Sequence, residues 1–231
     1  MSIAENIARV RAEIAEAARE AGRRPEEILL VGASKMNDAN ACREAIAAGV
    51  DALGENRVQE MVQKLSEHAY DGAPLHFIGH LQRNKVNKVV GQASLIQSVG
   101  SLPLLDEIEK AAARLDITQD ILLEVNVGGE AAKSGFAPAD VLAAAEAALS
   151  RVHVRVRGLM TIPPAEADRE ANMRYFQEVY ALYVDINEKL FHNGLEYLSM
   201  GMSGDYADAV RAGATMVRVG TAIFGARNYA L

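Results

Sequence analysis

Lys35 directly follows the apolar run ILLVGAS at 28–34. An ammonium set at the end of a buried segment is functional, or paired, or an exposed loop residue; the spacing alone leaves these open. If it is desolvated its pKa falls, and the free amine suits Schiff-base chemistry. A second feature is the segment LSMGMSGDYADAVRAGATMVRVGTAIFGAR, 198–227, with two strand-to-helix corners close together. Ser203 is expected to head one helix and Gly220-Thr221 to open the next. Helix N-termini with free N–H groups, beside Ser and Thr hydroxyls, make a cup for a phosphate. Ordinary capping by Ser203 and Thr221 is the alternative. Third, Arg218 interrupts the apolar run MVRVG at 216–220. A guanidinium at an inward strand position needs a carboxylate, a carbonyl or a ligand acceptor. Glu124 and Glu55 are the candidate acids.

His80, in HFIGHLQ, and Asn56, in GEN, also fall at the ends of apolar runs. A lone His is more often a structural hydrogen-bonding residue than a catalyst. No second His or carboxylate stands at metal-ligand spacing with it, so no metal is expected. Cys42, in ACREAIAAG, reads as a helix packing residue, and Met200, Met202 and Met216 as core.

Placing these residues together requires strands that end on one face. Short apolar runs recur at 28–34, 51–54, 76–79, 94–98, 120–126, 154–160, 196–201 and 216–220. Each is brief, bounded by polar or Gly residues, and most are rich in Val, Ile and Leu, as buried strands are. Helical stretches lie between them at 40–48, 101–115, 138–149, 170–190 and 205–212, and one precedes them at 3–21. The first shows Ile3, Ile7, Val10, Ile14 and Ala17 on one stripe. Ser101 is a plausible N-cap, with Pro103 in the first turn behind it. Alternation of this kind predicts a parallel sheet with helical crossovers, and eight strands suit a closed (β/α)8 TIM barrel of one domain, 1–231. An open doubly wound sheet is the competitor, but no G-x-G-x-x-G follows the first strand. In a barrel, function gathers at the C-terminal strand ends, and phosphate sites often follow strands 7 and 8. The strand ends are Ser34-Lys35, 54–56, Gly79-His80, Gln97-Ser98, Asn126, Met160-Thr161, 200–203 and Gly220-Thr221.

The chain has 231 residues, half of them hydrophobic, 24% charged and 5% aromatic, the balance of a soluble globular protein. Lys plus Arg number 24 against 31 acids, for a net charge of −7. No basic surplus exists to neutralise a nucleic-acid backbone. One cysteine excludes an intramolecular disulfide framework and a Cys-based zinc site. The acidic, amphipathic start MSIAENIARVRAEIAEAARE lacks an apolar h-region, and no run approaches the roughly 18 residues of a membrane span. A soluble, cytoplasmic protein is expected, with neither membrane nor nucleic acid as partner.

The motifs VGASK, LGENRVQE, LHFIGHLQRNKVNKVV, IQSVGSL, EVNVGGEAAKSGF, RGLMTIPP and the 198–227 segment, in this order, resemble the pyridoxal phosphate homeostasis proteins. These are one-domain relatives of the alanine racemase barrel, and the match runs from about Val10 to Arg227. The resemblance implies a pyridoxal 5′-phosphate (PLP) barrel of fold type III. By motif, Lys35 would hold PLP as an internal aldimine and Arg218 would face the pyridine nitrogen. Ser203, Gly220 and Thr221 would bind the phosphate, while Asn56, His80 and the Met200-Gly201 backbone would line the pocket. The chain departs from the family where a Thr-Lys-Pro run often follows the lysine; here stand Met36-Asn37-Asp38. Where His-Ser-Val-Asp is frequent, it has Gln97-Ser98-Val99-Gly100.

The resemblance also implies weak catalysis. A PLP ring withdraws electrons best when its nitrogen is protonated, normally through a carboxylate partner. Arg218 stays charged and only donates. Racemisation needs a base on each face of the substrate carbon, which alanine racemases draw partly from a further domain and a dimer partner. After the last expected strand little chain remains for such a domain. The expectation is therefore a monomeric PLP carrier serving PLP homeostasis, with apo PLP enzymes as possible recipients. A small racemase, with Tyr206 as second base, and a PLP-free aldolase, with Lys35 on a sugar phosphate carbonyl, are the alternatives.

Overall fold

A computed structural model describes residues 1–130 and 134–225. Eight parallel strands close into a barrel in chain order: β1 (Leu29–Ala33), β2 (Ala52–Glu55), β3 (Leu75–Phe77), β4 (Leu95–Val99), β5 (Gln119–Val125), β6 (Val154–Thr161), β7 (Tyr197–Ser199) and β8 (Met216–Val219). The helices are α1 (Ile3–Glu20), α2 (Ala39–Ala47), α3 (Val58–Ser66), α4 (Leu102–Leu115), α5 (Val141–Leu149), α6 (Arg169–Phe191), α7 (Tyr206–Arg211) and α8 (Thr221–Phe224). The expected TIM barrel is borne out, and each of the eight apolar runs overlaps a strand.

Local chemistry explains the elements. Ser2 caps α1 in a reciprocal box with Glu5, which satisfies two otherwise orphaned N–H groups. Ile7, Val10, Ile14 and Ala17 form its buried stripe, set against α2, α7 and α8. Ser101 caps α4 by accepting from Leu104 N–H. The 138–149 stretch begins as a short 3-10 turn, Pro138–Asp140, before α5. The helix after Ser203 starts only at Tyr206, with Asp205 in the cap position. Helix α3 was not expected from the sequence. Its buried stripe is thin, Val58 and Met61 with Lys64 among them, so apolar periodicity hardly marks it.

Side chains alternate between the inside of the barrel and the helices outside. Val31, Ala52, Leu95, Leu122, Met160 and Met216 form a compact inner cluster. A much larger apolar layer lies between strands and helices. The register slips at Ile96/Val99 between β4 and β5, and again at Ile121/Leu122 between β5 and β6. Such bulges re-aim side chains at barrel rims. Gly158 has no alternative in β6, because a Cβ there would fall 1.7 Å from the Tyr197 carbonyl oxygen.

Candidate functional site

Lys35 leaves the end of β1 in a turn, half-buried. The turn is fastened by charges behind it. The Lys64 ammonium, buried on α3, donates to the Ser34 carbonyl at 2.8 Å and to Glu55 and Glu60 at 2.7 and 2.8 Å. The Ser34 hydroxyl and the Tyr70 phenol also donate to Glu55, at 2.6 and 3.1 Å. Glu60 accepts from the Met36 N–H. That bond holds Met36 at φ 62°, a left-handed conformation uncommon for a side chain of this kind. Burial opposes the Lys64 charge, but the two carboxylates outweigh it and raise its pKa. The family departure at 36–38 is thus a clamped corner.

Arg218 lies in β8 beside β1, in register with Val31. It is 3% exposed. Its Nη1 donates to Ser199 Oγ at 2.6 Å and its Nη2 to the Thr161 carbonyl at 2.8 Å. Neither Glu124 nor Glu55 makes an ion pair with it among the described residues; Glu55 is taken by Lys64. Burial pushes its pKa down to about 10, with Asp205 and Glu124 pulling the other way. It therefore keeps a positive charge at neutral pH.

At the β7 and β8 ends, Ser203 Oγ accepts the N–H groups of Gly220 and Ala222 at 3.1 and 3.2 Å. Ser203 thus caps α8 from a distance and keeps its own hydroxyl proton to donate. Thr221 is exposed. The Gly220 Cα comes close to β1, where a Cβ would lie 3.3 Å from the Ala33 oxygen. Met200 is buried, and its N–H donates to Met216 across the strands. Gly201, at φ 90°, turns the chain here and accepts from the Arg218 N–H. Met202 is 38% exposed, which corrects its placement in the core; it sits in the loop beyond the last β7 residue. Tyr206 is also corrected. Its phenol donates to Glu13 on α1, and burial with that carboxylate raises its pKa, so it offers no base toward the mouth.

A cavity of about 580 Å³ opens over the other half of the mouth. Asn56, His80, Glu124, Asn126, Ser134 and Ile162 help line it. His80 is exposed. Asn56 Oδ1 is buried without a hydrogen-bond partner, a cost normally met by a ligand or water. Glu124, considered from sequence only as a counter-ion, faces this space and accepts from Ser134 Oγ at 2.8 Å. Burial raises its pKa, while Ser134 and the charge of Arg218 draw it back. A signal existed: Leu122, Glu124 and Asn126 alternate at the end of an apolar run. Cys42 is buried in α2, as expected of a packing residue. No cluster of His, Cys, Asp or Glu among the described residues could hold a metal. No helix among them is long and apolar enough to cross a membrane.

The closed parallel barrel is of the alanine racemase type. The family described as alanine racemase, N-terminal domain, matches residues 3–228. The solved alanine racemase of Clostridium difficile shares this fold at a TM-score of 0.71, with 17% identity, over 95% of this chain and 57% of that one. Nearer relatives narrow the class. The pyridoxal phosphate homeostasis protein of Pseudomonas aeruginosa is 43% identical over 99% of this chain and 97% of its own length. That of Aquifex aeolicus is 41% identical over 99% and 100%. PipY of Synechococcus elongatus, solved with PLP bound, superposes at a TM-score of 0.84 with 33% identity, covering 97% of this chain and all of PipY. The chain belongs to the pyridoxal phosphate homeostasis protein family, as its motifs led us to expect.

Proposed function

We propose that this protein binds PLP at the barrel mouth, covalently through Lys35, and serves PLP homeostasis with little or no turnover. The observation that carries the reading is one of placement. Lys35, Arg218 and Thr221 sit on or just after the paired strands β1 and β8, and the strand ends across the same mouth frame a cavity holding an unpaired Asn56 oxygen. The residues fit the cofactor. A half-buried amine suits an aldehyde, an unneutralised guanidinium suits a ring nitrogen, and the Ser203 and Thr221 hydroxyls suit a phosphate. Asn56 and His80 line that cavity, and in this reading the Met200-Gly201 backbone would complete the pocket at the end of β7.

Bound PLP supplies a reactive aldehyde carbon and an electron-withdrawing ring. Lys35 holds it, and the Lys64 and Glu60 clamp orients Lys35. Arg218 would donate toward the ring nitrogen and disfavour its protonation, which would keep transamination and elimination slow. Reversible binding and release remain the useful chemistry. In this reading residues 1–231 act as one PLP-binding unit, a monomer in the cytoplasm, and apo PLP enzymes are the recipients.

The test is the visible spectrum of the purified protein before and after borohydride, followed by peptide mapping. A yellow protein that fixes the label on Lys35, and a folded, colourless Lys35→Ala variant, are the expected results. A colourless native protein, or a reduced label on another lysine, overturns the reading.

A further inference from the structure

The inside of the barrel holds a polar chain that the site itself does not require. From Arg218 Nη1 a bond runs to Ser199 Oγ, and the Ser199 hydroxyl donates to Gln97 Oε1 at 2.7 Å. Gln97 Nε2 then donates to Met216 Sδ at 3.1 Å and meets His76 Nδ1 at 3.0 Å. His76, Gln97, Ser199 and Arg218 are at most 7% exposed, and they come from β3, β4, β7 and β8.

The donors and acceptors leave one consistent orientation. Ser199 Oγ already receives the arginine N–H, so its own proton must go elsewhere, and the Gln97 oxygen takes it. Reversing the amide would aim its NH2 at Ser199 and strand that proton. With the NH2 on the other side, His76 Nδ1 is the acceptor, and the imidazole proton sits on Nε2. An uncharged amide thereby fixes the acceptor that holds a buried cation in place.

We propose that Gln97, backed by His76, is a positioning residue: through Ser199 it sets the direction in which Arg218 presents its remaining N–H groups to the cofactor ring. This rests on the PLP reading, but its first arm needs no PLP. In the ligand-free protein, imidazole ¹⁵N spectra should show His76 protonated on Nε2. The isosteric Gln97→Glu, which cannot donate, should move that proton to Nδ1. In the PLP-loaded protein, Gln97→Leu should displace the absorption band in the same direction as Arg218→Met. It should also weaken PLP about tenfold, the worth of one modest hydrogen bond. Adding Gln97→Leu to Arg218→Met should change neither band nor affinity further.

Colour in the native protein with band and affinity unchanged by Gln97→Leu, or independent addition of the two substitutions, overturns the proposal. So does an Nδ1-protonated His76 in the native protein. If Gln97→Leu does not fold, Gln97→Met, which likewise offers Ser199 no amide oxygen, carries the second arm. A native protein that takes up no PLP refutes the PLP reading instead, and the tautomer arm then judges the hydrogen-bond chain alone.

Discussion

Ser203 and Thr221 look alike in the sequence and differ in the fold. The Ser203 oxygen holds two backbone N–H groups of the last helix. Thr221 is exposed, and its hydroxyl makes no hydrogen bond among the described residues. Their substitutions should separate. Thr221→Ala should leave the ligand-free protein as stable as before, within about 0.5 kcal/mol. It should weaken PLP by roughly ten- to a hundredfold, since a bond to a charged oxygen is worth about 1.5–3 kcal/mol, and barely affect unphosphorylated pyridoxal. Ser203→Ala should also cost about 1 kcal/mol of stability without ligand, as lost caps do. Titration of both variants with PLP and pyridoxal, beside urea unfolding, decides it. Equal losses of PLP and pyridoxal in Thr221→Ala would make that residue no phosphate ligand.

At the scale of elements, the site depends on how closely β2 and β3 approach at the mouth. Gly79, just past β3, lies against Asn56, just past β2. A Cβ at Gly79 would stand 2.2 Å from the Asn56 carbonyl oxygen and 2.5 Å from its Cα. Backbone on both sides cannot yield as a side chain tip can. Gly79→Ala should therefore push Asn56 out of the pocket, lowering PLP affinity and costing about 1–3 kcal/mol of stability. Unfolding midpoints and PLP titration read the two effects, and native affinity in the Gly79→Ala variant would show that Asn56 does not contact the cofactor. The strands themselves were legible because parallel strands buried on both faces read as continuous apolar runs. Helix α3 was not, since a lysine sits in its buried stripe. That lysine is inside only because Glu55 and Glu60 meet it there.

For the whole molecule, the buried polar layer sets an acid limit. Burial pushes the pKa of His76 down to about 4 from an ordinary 6.5. Between those values the unfolded chain binds a proton that the folded chain refuses, so stability falls as pH falls through the window. At 1.36 kcal/mol per unit, this group alone removes about 2 kcal/mol between pH 6.5 and 5. Its slope fades above pH 6.5 and is gone by about pH 8. Urea unfolding at pH 7 and 5 should show the loss, and His76→Gln should remove about that much of the difference. An identical pH response in the variant would mean that His76 is protonated in the fold.

The sequence by itself determined the class of fold, the order of strands and helices, and which residues stand at strand ends. These follow from local patterns: apolar runs, caps and glycines within a few positions of one another. Lys35 was visible for that reason. Side-chain direction inside the barrel was decided by tertiary structure. Gln97 and Ser199 are 102 positions apart, and their meeting depends on barrel closure and on the register slip after Ile96. Tyr206 illustrates the same limit, since its turn toward Glu13 is fixed by α1 packing 193 positions away. A one-residue change of phase carries a strand side chain to the opposite face, and the register that sets this phase exists only once all eight strands have paired.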